Sequence, residues 1–283
     1  MSYKTIVVHV DDSRNADARI ESAATIAVLE NAHLIGAAMT GVYKSLYETL
    51  ATNPEDPVIA PYFHALRERA KNSLTKFEDI AQRAGVASFE TRLVEGEIAK
   101  AFRLQALCCD LVVLGRYDRD DPFSTLNSDL SAYAVTEGGS PALIMPKSHA
   151  SSSAIDRVLI AWNGSGQAMR AVRGALPLIK RAKVVEVALF LPPSEPKSKA
   201  MVAGDDFAGY LARHGVSTEI IRRERNETAS GDIGVSLLAL AVERSSDLLV
   251  MGCYGHSRFF EMLLGGATRV VLEEMNIPVL MAH

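Results

Sequence analysis

Ile6-Val7-Val8-His9-Val10-Asp11-Asp12-Ser13 has a counterpart far down the chain in Val158-Leu159-Ile160-Ala161-Trp162-Asn163-Gly164-Ser165. Each segment is an apolar run, rich in β-branched residues, that ends in a small polar turn. Each is followed by an alanine-rich stretch with helical spacing, Ala16 to Leu29 and Ala168 to Ile179. The order strand, turn, helix is therefore written twice.

Working outward, the later parts of the two halves match as well. Asp110-Leu111-Val112-Val113-Leu114-Gly115 recurs as Asp247-Leu248-Leu249-Val250-Met251-Gly252. Ser140-Pro141-Ala142-Leu143-Ile144-Met145 recurs as Ile277-Pro278-Val279-Leu280-Met281-Ala282. Continuous apolar runs without alternation suit strands buried on both faces. A single run of this kind also suits a buried helix segment; its repetition in the same order argues for strands. Strands alternating with helices predict an α/β chain of two parallel sheets covered by helices.

Between these anchors, strands are expected near Leu34–Met39 and Ser88–Val94, and helices near Pro61–Ala84 and Ile98–Cys108. The second half offers strands at Val184–Leu191 and Ser217–Arg223, and helices at Ala200–His214, Ile233–Glu243 and Arg269–Met275. Tyr43 to Pro61 is extra chain in the first half, read as a surface loop that could also cover a pocket or a dimer surface. Lys147 to Ser153 is small and polar and marks a linker. The expected domains are residues 1–147 and 154–283.

The 283 residues suit two domains. Hydrophobic residues at 48% supply two cores, and aromatics at 6% make those cores aliphatic. A net charge of −4 argues against a general nucleic-acid binder. Cys108, Cys109 and Cys253 match no zinc spacing. Cys108 and Cys109 precede an apolar run and are expected to be buried as small hydrophobes. The N-terminus shows no signal-peptide pattern, and no apolar run approaches the roughly 18 residues of a membrane span. The expectation is a cytoplasmic protein with no nucleic-acid or membrane partner.

The segment with most chemistry follows the fourth strand of the second half. Gly252, Gly255 and Gly265 are spaced by two and then nine residues, and Gly266 and Ala267 lead into a helix. Glycines admit close backbone approach, and a helix N-terminus offers free N–H groups to an anion. The C-terminal ends of parallel strands are where open α/β sheets bind ligands. Glycines after a strand also suit plain turns, and Gly265-Gly266 also suits close helix packing; the anion reading and these stand together at this point. His256 lies in the loop and could touch a phosphate, act in proton transfer, or be solvated.

Val158–Ser165, the Gly252/Gly255 pair, the nine-residue spacer, Gly265 and Asn276-Ile277-Pro278-Val279-Leu280 together resemble the universal stress protein family. The resemblance spans nearly the whole chain as two tandem copies. It implies two five-stranded parallel sandwiches of the adenine nucleotide α-hydrolase-like type, pseudo-dimeric within the chain. Many members bind ATP and others do not. The implied ligand is ATP or a related adenine nucleotide, with or without Mg. Carried over, Ala161, Trp162 and Asn163 would meet base and ribose. Met251, Gly252, Gly255, Gly265, Gly266 and Ala267 would line the phosphates. Family members commonly dimerise through the last strand, and in tandem members the halves usually pair with each other, so the implied partners are the two domains and a second copy.

Two positions depart from the family pattern. Gly266 stands where a Ser or Thr usually follows the last glycine, and Asn163 replaces the acidic residue of the first-strand loop. Trp162 suits either stacking on adenine or filling the core. The first half keeps Asp11, but Gly115-Arg116-Tyr117-Asp118 lacks the second glycine. Leu126-Asn127-Ser128 stands near where the last one belongs. Asp118, Asp120 and Asp121 would repel phosphate, so this half is expected to have lost nucleotide binding.

No catalytic signature is present: there is no P-loop, complete dinucleotide fingerprint or nucleophile elbow. The adjacent carboxylates of Asp11 and Asp12 would point apart in a strand-end turn. Three functions stay open. One is a nucleotide-responsive stress protein acting through partners. Another is an interaction protein without nucleotide. The third is a slow nucleotide hydrolase.

Overall fold

The computed structural model describes residues 2–40, 57, 59–95, 103–118, 120–121, 130–148, 154–191, 197–224, 233–253 and 266–283. The chain divides into two compact units, Ser2–Ser152 and Ser153–His283.

In the first unit the chain order is β1 Thr5–Val10, α1 Ala16–Glu30, β2 His33–Met39, α2 Ile59–Arg83, β3 Phe89–Val94, β4 Leu111–Gly115, α3 Leu130–Glu137 and β5 Ala142–Met145. The strands lie in the order β3-β2-β1-β4-β5. All neighbours are parallel; Val7 of β1 sits between Ile35 of β2 and Val112 of β4. Val7, Val8, Leu111, Val112 and Val113 have no exposed surface. Full burial on both faces is why these runs carry no polar alternation. Helices α1 and α2 pack against each other, as right-handed crossovers from β1 to β2 to β3 require. Gly36 of β2 makes room for the buried Phe77 of α2; a Cβ there would lie 2.6 Å from the phenyl ring.

The second unit runs β6 Arg157–Ala161, α4 Gly166–Ile179, β7 Val184–Leu191, α5 Lys197–Arg213, β8 Glu219–Glu224, α6 Ile233–Glu243, β9 Leu248–Gly252, α7 Gly266–Glu274 and β10 Val279–Ala282. Its order, β8-β7-β6-β9-β10, is the same plan. Leu159 of β6 lies between Glu186 of β7 and Leu249 of β9. Leu159, Val187, Leu248, Val250 and Leu280 form its aliphatic centre.

The repeated aspartate before the fourth strand has a structural role that spacing did not reveal. Asp110 Oδ2 accepts the N–H groups of Lys4 and Thr5 at 2.7 and 2.9 Å. Asp247 Oδ2 accepts those of Asp156 and Arg157 at 3.0 and 2.8 Å. In each unit a carboxylate thus ties the entry of the first strand to that of the fourth, with charge-assisted bonds.

Helix boundaries differ from expectation for local reasons. Helix α2 begins at Ile59 because Pro61 is tolerated in a first turn, where its missing N–H has no helical partner to lose. Helix α4 begins at Gly166 because Ser165 caps it, its Oγ accepting from Ala168 N at 3.2 Å. Helix α3 was not anticipated. Of the helix expected at Ile98–Cys108, the described part is helical at 103–106. Of the Tyr43–Pro61 segment, residues 43–56 and 58 lie outside the described residues. Cys108 corrects the expectation of burial: it is exposed, Cys109 is half-buried and Cys253 buried. Burial pushes the Cys109 thiol up to about 11 and Cys253 to about 12. Neither is a ready thiolate.

Candidate nucleotide site

In the second unit the chain leaves β6 toward one edge of the sheet and leaves β9 toward the other. The ends of these adjacent strands form the topological switch point, where α/β sheets open a crevice. Ala161 and Met251 are register partners at those ends. Ala161 is half-buried and Met251 buried. Trp162 and Asn163 follow directly from β6, and Gly252 closes β9. The chain that leaves β9 returns as α7, opened by Gly266 and Ala267. Gly255, His256 and Gly265 lie outside the described residues.

Asn163 is exposed, and its Oδ1 accepts the N–H of Ser165 at 3.1 Å. This holds the turn into α4 without using the amide NH₂. The capped N-terminus of α4 therefore stands beside the ends of β6 and β9. Gly252 packs beneath it. A Cβ on Gly252 would lie 2.4 Å from Ala168 N and 2.6 Å from Gln167 C. That space belongs to helix backbone, so Gly252 is needed for the close approach of α4, a reason the sequence offered only for Gly265 and Gly266.

The Trp162 ring lies flat on Phe207 of α5, with centroids 3.9 Å apart and planes 7° from parallel. Phe207 is buried and stacks in turn on Tyr210, which meets His214 edge-on. One face of the indole is thus committed to the protein, as core filling requires. The indole N–H is buried and meets no acceptor among the described residues. Sequence reasoning passed over Phe207. The signal was its place on the face of α5 that also carries Tyr210 and Leu211 at helical spacing, with His214 just past the helix end.

The first unit builds its corresponding strand ends otherwise. Arg19 of α1 is only 3% exposed. Its Nε donates to the His9 carbonyl at 2.8 Å, and its Nη2 to Asp11 Oδ1 at 2.7 Å. The same guanidinium lies against Gly115, where a Cβ would stand 2.3 Å from Nη1. Burial works against the Asp11 carboxylate. The Arg19 and His9 charges and hydrogen bonds from Ser13 and Arg19 outweigh it and hold Asp11 well below the usual carboxylate range. Burial, only partly offset by Asp11, lowers His9 to about 4, so the imidazole is neutral at pH 7.

The neighbouring acids are also engaged. Asp12 pairs with Arg69 of α2. Asp118 binds Lys147, whose ammonium also lies 3.8 Å from Asp120. Asp121 is 2% exposed and accepts the N–H of Arg14 at 2.9 Å. The repulsion expected of these acids is therefore largely spent inside the unit. Leu126, Asn127 and Ser128 lie outside the described residues. Among those described, no group of three His, Cys, Asp or Glu side chains could hold a metal, and no helix is long and apolar enough to cross a membrane.

Residues 154–283 match the model of the universal stress protein family. A universal stress protein of Synechocystis sp. is 22% identical over 216 residues, covering 75% of this chain and 71% of its own. The crystal structure of a universal stress protein from Archaeoglobus fulgidus superposes with a TM-score of 0.76 at 17% identity, over 98% of this chain and 95% of that one. A protein of unknown function from Pseudomonas aeruginosa gives a TM-score of 0.63 at 16% identity, over 99% and 92%. The two structural likenesses speak for the fold alone. The family model is matched across the second unit, which holds the capped helix and the glycine loop, so that unit is a universal stress protein domain.

Proposed function

We propose that the second unit binds an adenine nucleotide, ATP or a close relative, at the ends of β6 and β9, and that its occupancy governs how the protein meets partners in a stress response. One observation carries this reading. In the second unit the capped N-terminus of α4 and the exposed Asn163 lie beside the ends of β6 and β9. Among the described residues, no ion pair of the kind that fills the first unit's strand ends is recorded there. Ala161, Trp162 and Asn163 would meet base and ribose, with the Asn163 amide a donor to a ribose hydroxyl. Met251, Gly252, Gly255, His256, Gly265, Gly266 and Ala267 would serve the phosphate side, through backbone N–H groups in the case of Gly266.

The test is the thermal shift of the full chain with Mg-ATP, beside Gly255→Val. Nucleotide at about 100 times its dissociation constant stabilises by about 2.7 kcal/mol. The shift is expected in the wild type and lost in Gly255→Val. Asn163→Asp, which restores the family's acidic residue, is expected to fold as well as the wild type and to change the nucleotide-induced shift alone.

A second reading has an observation of its own. Trp162 stacks on Phe207 instead of leaving that face open, and Asn163 carries no charge. Both suit an interaction protein that dispenses with nucleotide. No shift under saturating Mg-ATP, in a chain that melts cooperatively, would favour it.

A further inference from the structure

We propose that the first unit is self-liganded: Asp121 and Arg19 occupy, as built-in anion and cation, the strand ends that an external ligand would need. The comparison with the second unit rests on the nucleotide reading above. The occupancy itself rests on contacts within the first unit.

The argument starts from register. Asp11-Asp12-Ser13-Arg14 corresponds to Asn163-Gly164-Ser165-Gly166. The N–H of Gly166 opens α4, and Gly166 is exposed. Its counterpart, the N–H of Arg14, donates to the Asp121 carboxylate at 2.9 Å, and that carboxylate is 2% exposed. Asp121 comes from the chain that follows β4. The chain that follows β9 in the second unit carries the glycine loop. The same connection thus brings a carboxylate in one unit and glycines in the other.

Arg19 completes the filling. It corresponds to Ala171, which is fully buried. Its side chain reaches back over the end of β1 to Asp11 and covers Gly115. The loop is fastened from both sides. Arg14 Nη2 donates to the Asp120 carbonyl at 3.1 Å, and Lys147 holds Asp118. A buried carboxylate on a backbone N–H is what a bound oxyanion would supply. Here it cannot diffuse away.

The experiment uses the full chain with Gly255→Val as the parent, so that anion effects at the second unit's loop are silenced. Asp121→Ala is compared with that parent by thermal melting, in sodium formate and in sodium chloride at equal ionic strength. Formate replaces the deleted carboxylate. In chloride the variant is expected to melt about 5 °C lower, the loss of one buried charge-assisted hydrogen bond. Formate is expected to recover at least half of that difference and to leave the parent unchanged. Equal melting of the variant in both salts, or no loss in chloride, overturns the proposal.

Asp121→Asn keeps the niche filled and is expected to ignore formate; a response as large as that of Asp121→Ala also overturns it. Should Asp121→Ala not fold in chloride, refolding from urea decides. Folded protein recovered in formate alone supports the proposal, and none in either salt refutes it. No nucleotide enters the test, so it can fail independently of the nucleotide reading.

Discussion

Gly115 and Gly252 end equivalent strands in the two units, yet they face different neighbours. Gly252 faces the backbone of α4 at Gln167 and Ala168, while Gly115 faces the tip of the Arg19 side chain. In the second unit the helix closes directly on the strand, and the capped helix N-terminus lies beside the strand ends. In the first unit a buried arginine stands between them, with its own carboxylate partner. A repeated glycine therefore does not certify a repeated site. What matters is whether the neighbouring helix carries a small residue, Ala171, or a large cation, Arg19, one turn in.

The strongest way to break this contrast is Arg19→Ala. It would leave the mostly buried Asp11 carboxylate without its cation, a loss of about 4 kcal/mol in the unfolding free energy of the first unit. Urea titration would measure it. Adding Asp11→Asn should recover part, and a single-variant loss below about 1 kcal/mol would show that Arg19 does not hold the first unit together.

Acidification comes next. His9 has its ordinary value of 6.5 in the unfolded chain and about 4 in the fold. Between those values the unfolded state binds the extra proton, so stability falls as pH drops through that window, by up to roughly 3 kcal/mol. Asp11 adds a further loss below its ordinary value near 4, because its folded carboxyl protonates only at lower pH. Protection factors, which divide out the slower intrinsic exchange at lower pH, should fall in β1 and β4 on going from pH 7 to 5, and less in β6 and β9, where Ala161 replaces the histidine. An equal fall in both units would contradict the assignment.

The glycines themselves give a smaller effect that discriminates between the units. Gly252→Ala must displace helix backbone and should cost about 2 kcal/mol. Gly115→Ala needs only a shift of the Arg19 tip and should cost less than half of that. Equal costs in urea unfolding would mean that the two glycines are packed alike. The mildest test is Ser165→Ala, which removes the α4 cap and should cost about 1 kcal/mol. Trp162, the single tryptophan of the chain, provides a fluorescence signal from the same unit.

Much of this architecture is legible in the residues. The twofold writing of strand, turn and helix, and the unbroken apolar runs, foretell parallel strands buried on both faces, and β7 and α6 fall on their expected spans. Helix starts were less legible, since capping by Ser165 and the tolerance for Pro61 act within one turn and leave the periodicity unchanged. The candidate site divides in the same manner. Gly252, Asn163 and Asp11 stand out because residue type and spacing mark the turns after β1, β6 and β9. Phe207 and Arg19 do not, and Asp121 is legible only as a repelling charge, because each acts on groups far away in sequence or across a helix turn.

By itself the sequence determined which segments become strands, that the plan occurs twice, and that glycines, an asparagine and aspartates cluster in the turns at the strand ends. Those properties are local: they follow from side-chain volume, branching and backbone freedom within a few residues. Only the tertiary structure decided what the polar residues do. It placed the Arg19 guanidinium over Gly115, put Asp121 on the N–H of Arg14, and laid Trp162 against Phe207. Charge pairing and ring stacking depend on distances of a few ångströms between residues that the chain keeps far apart, and folding of each sheet is what brings them together.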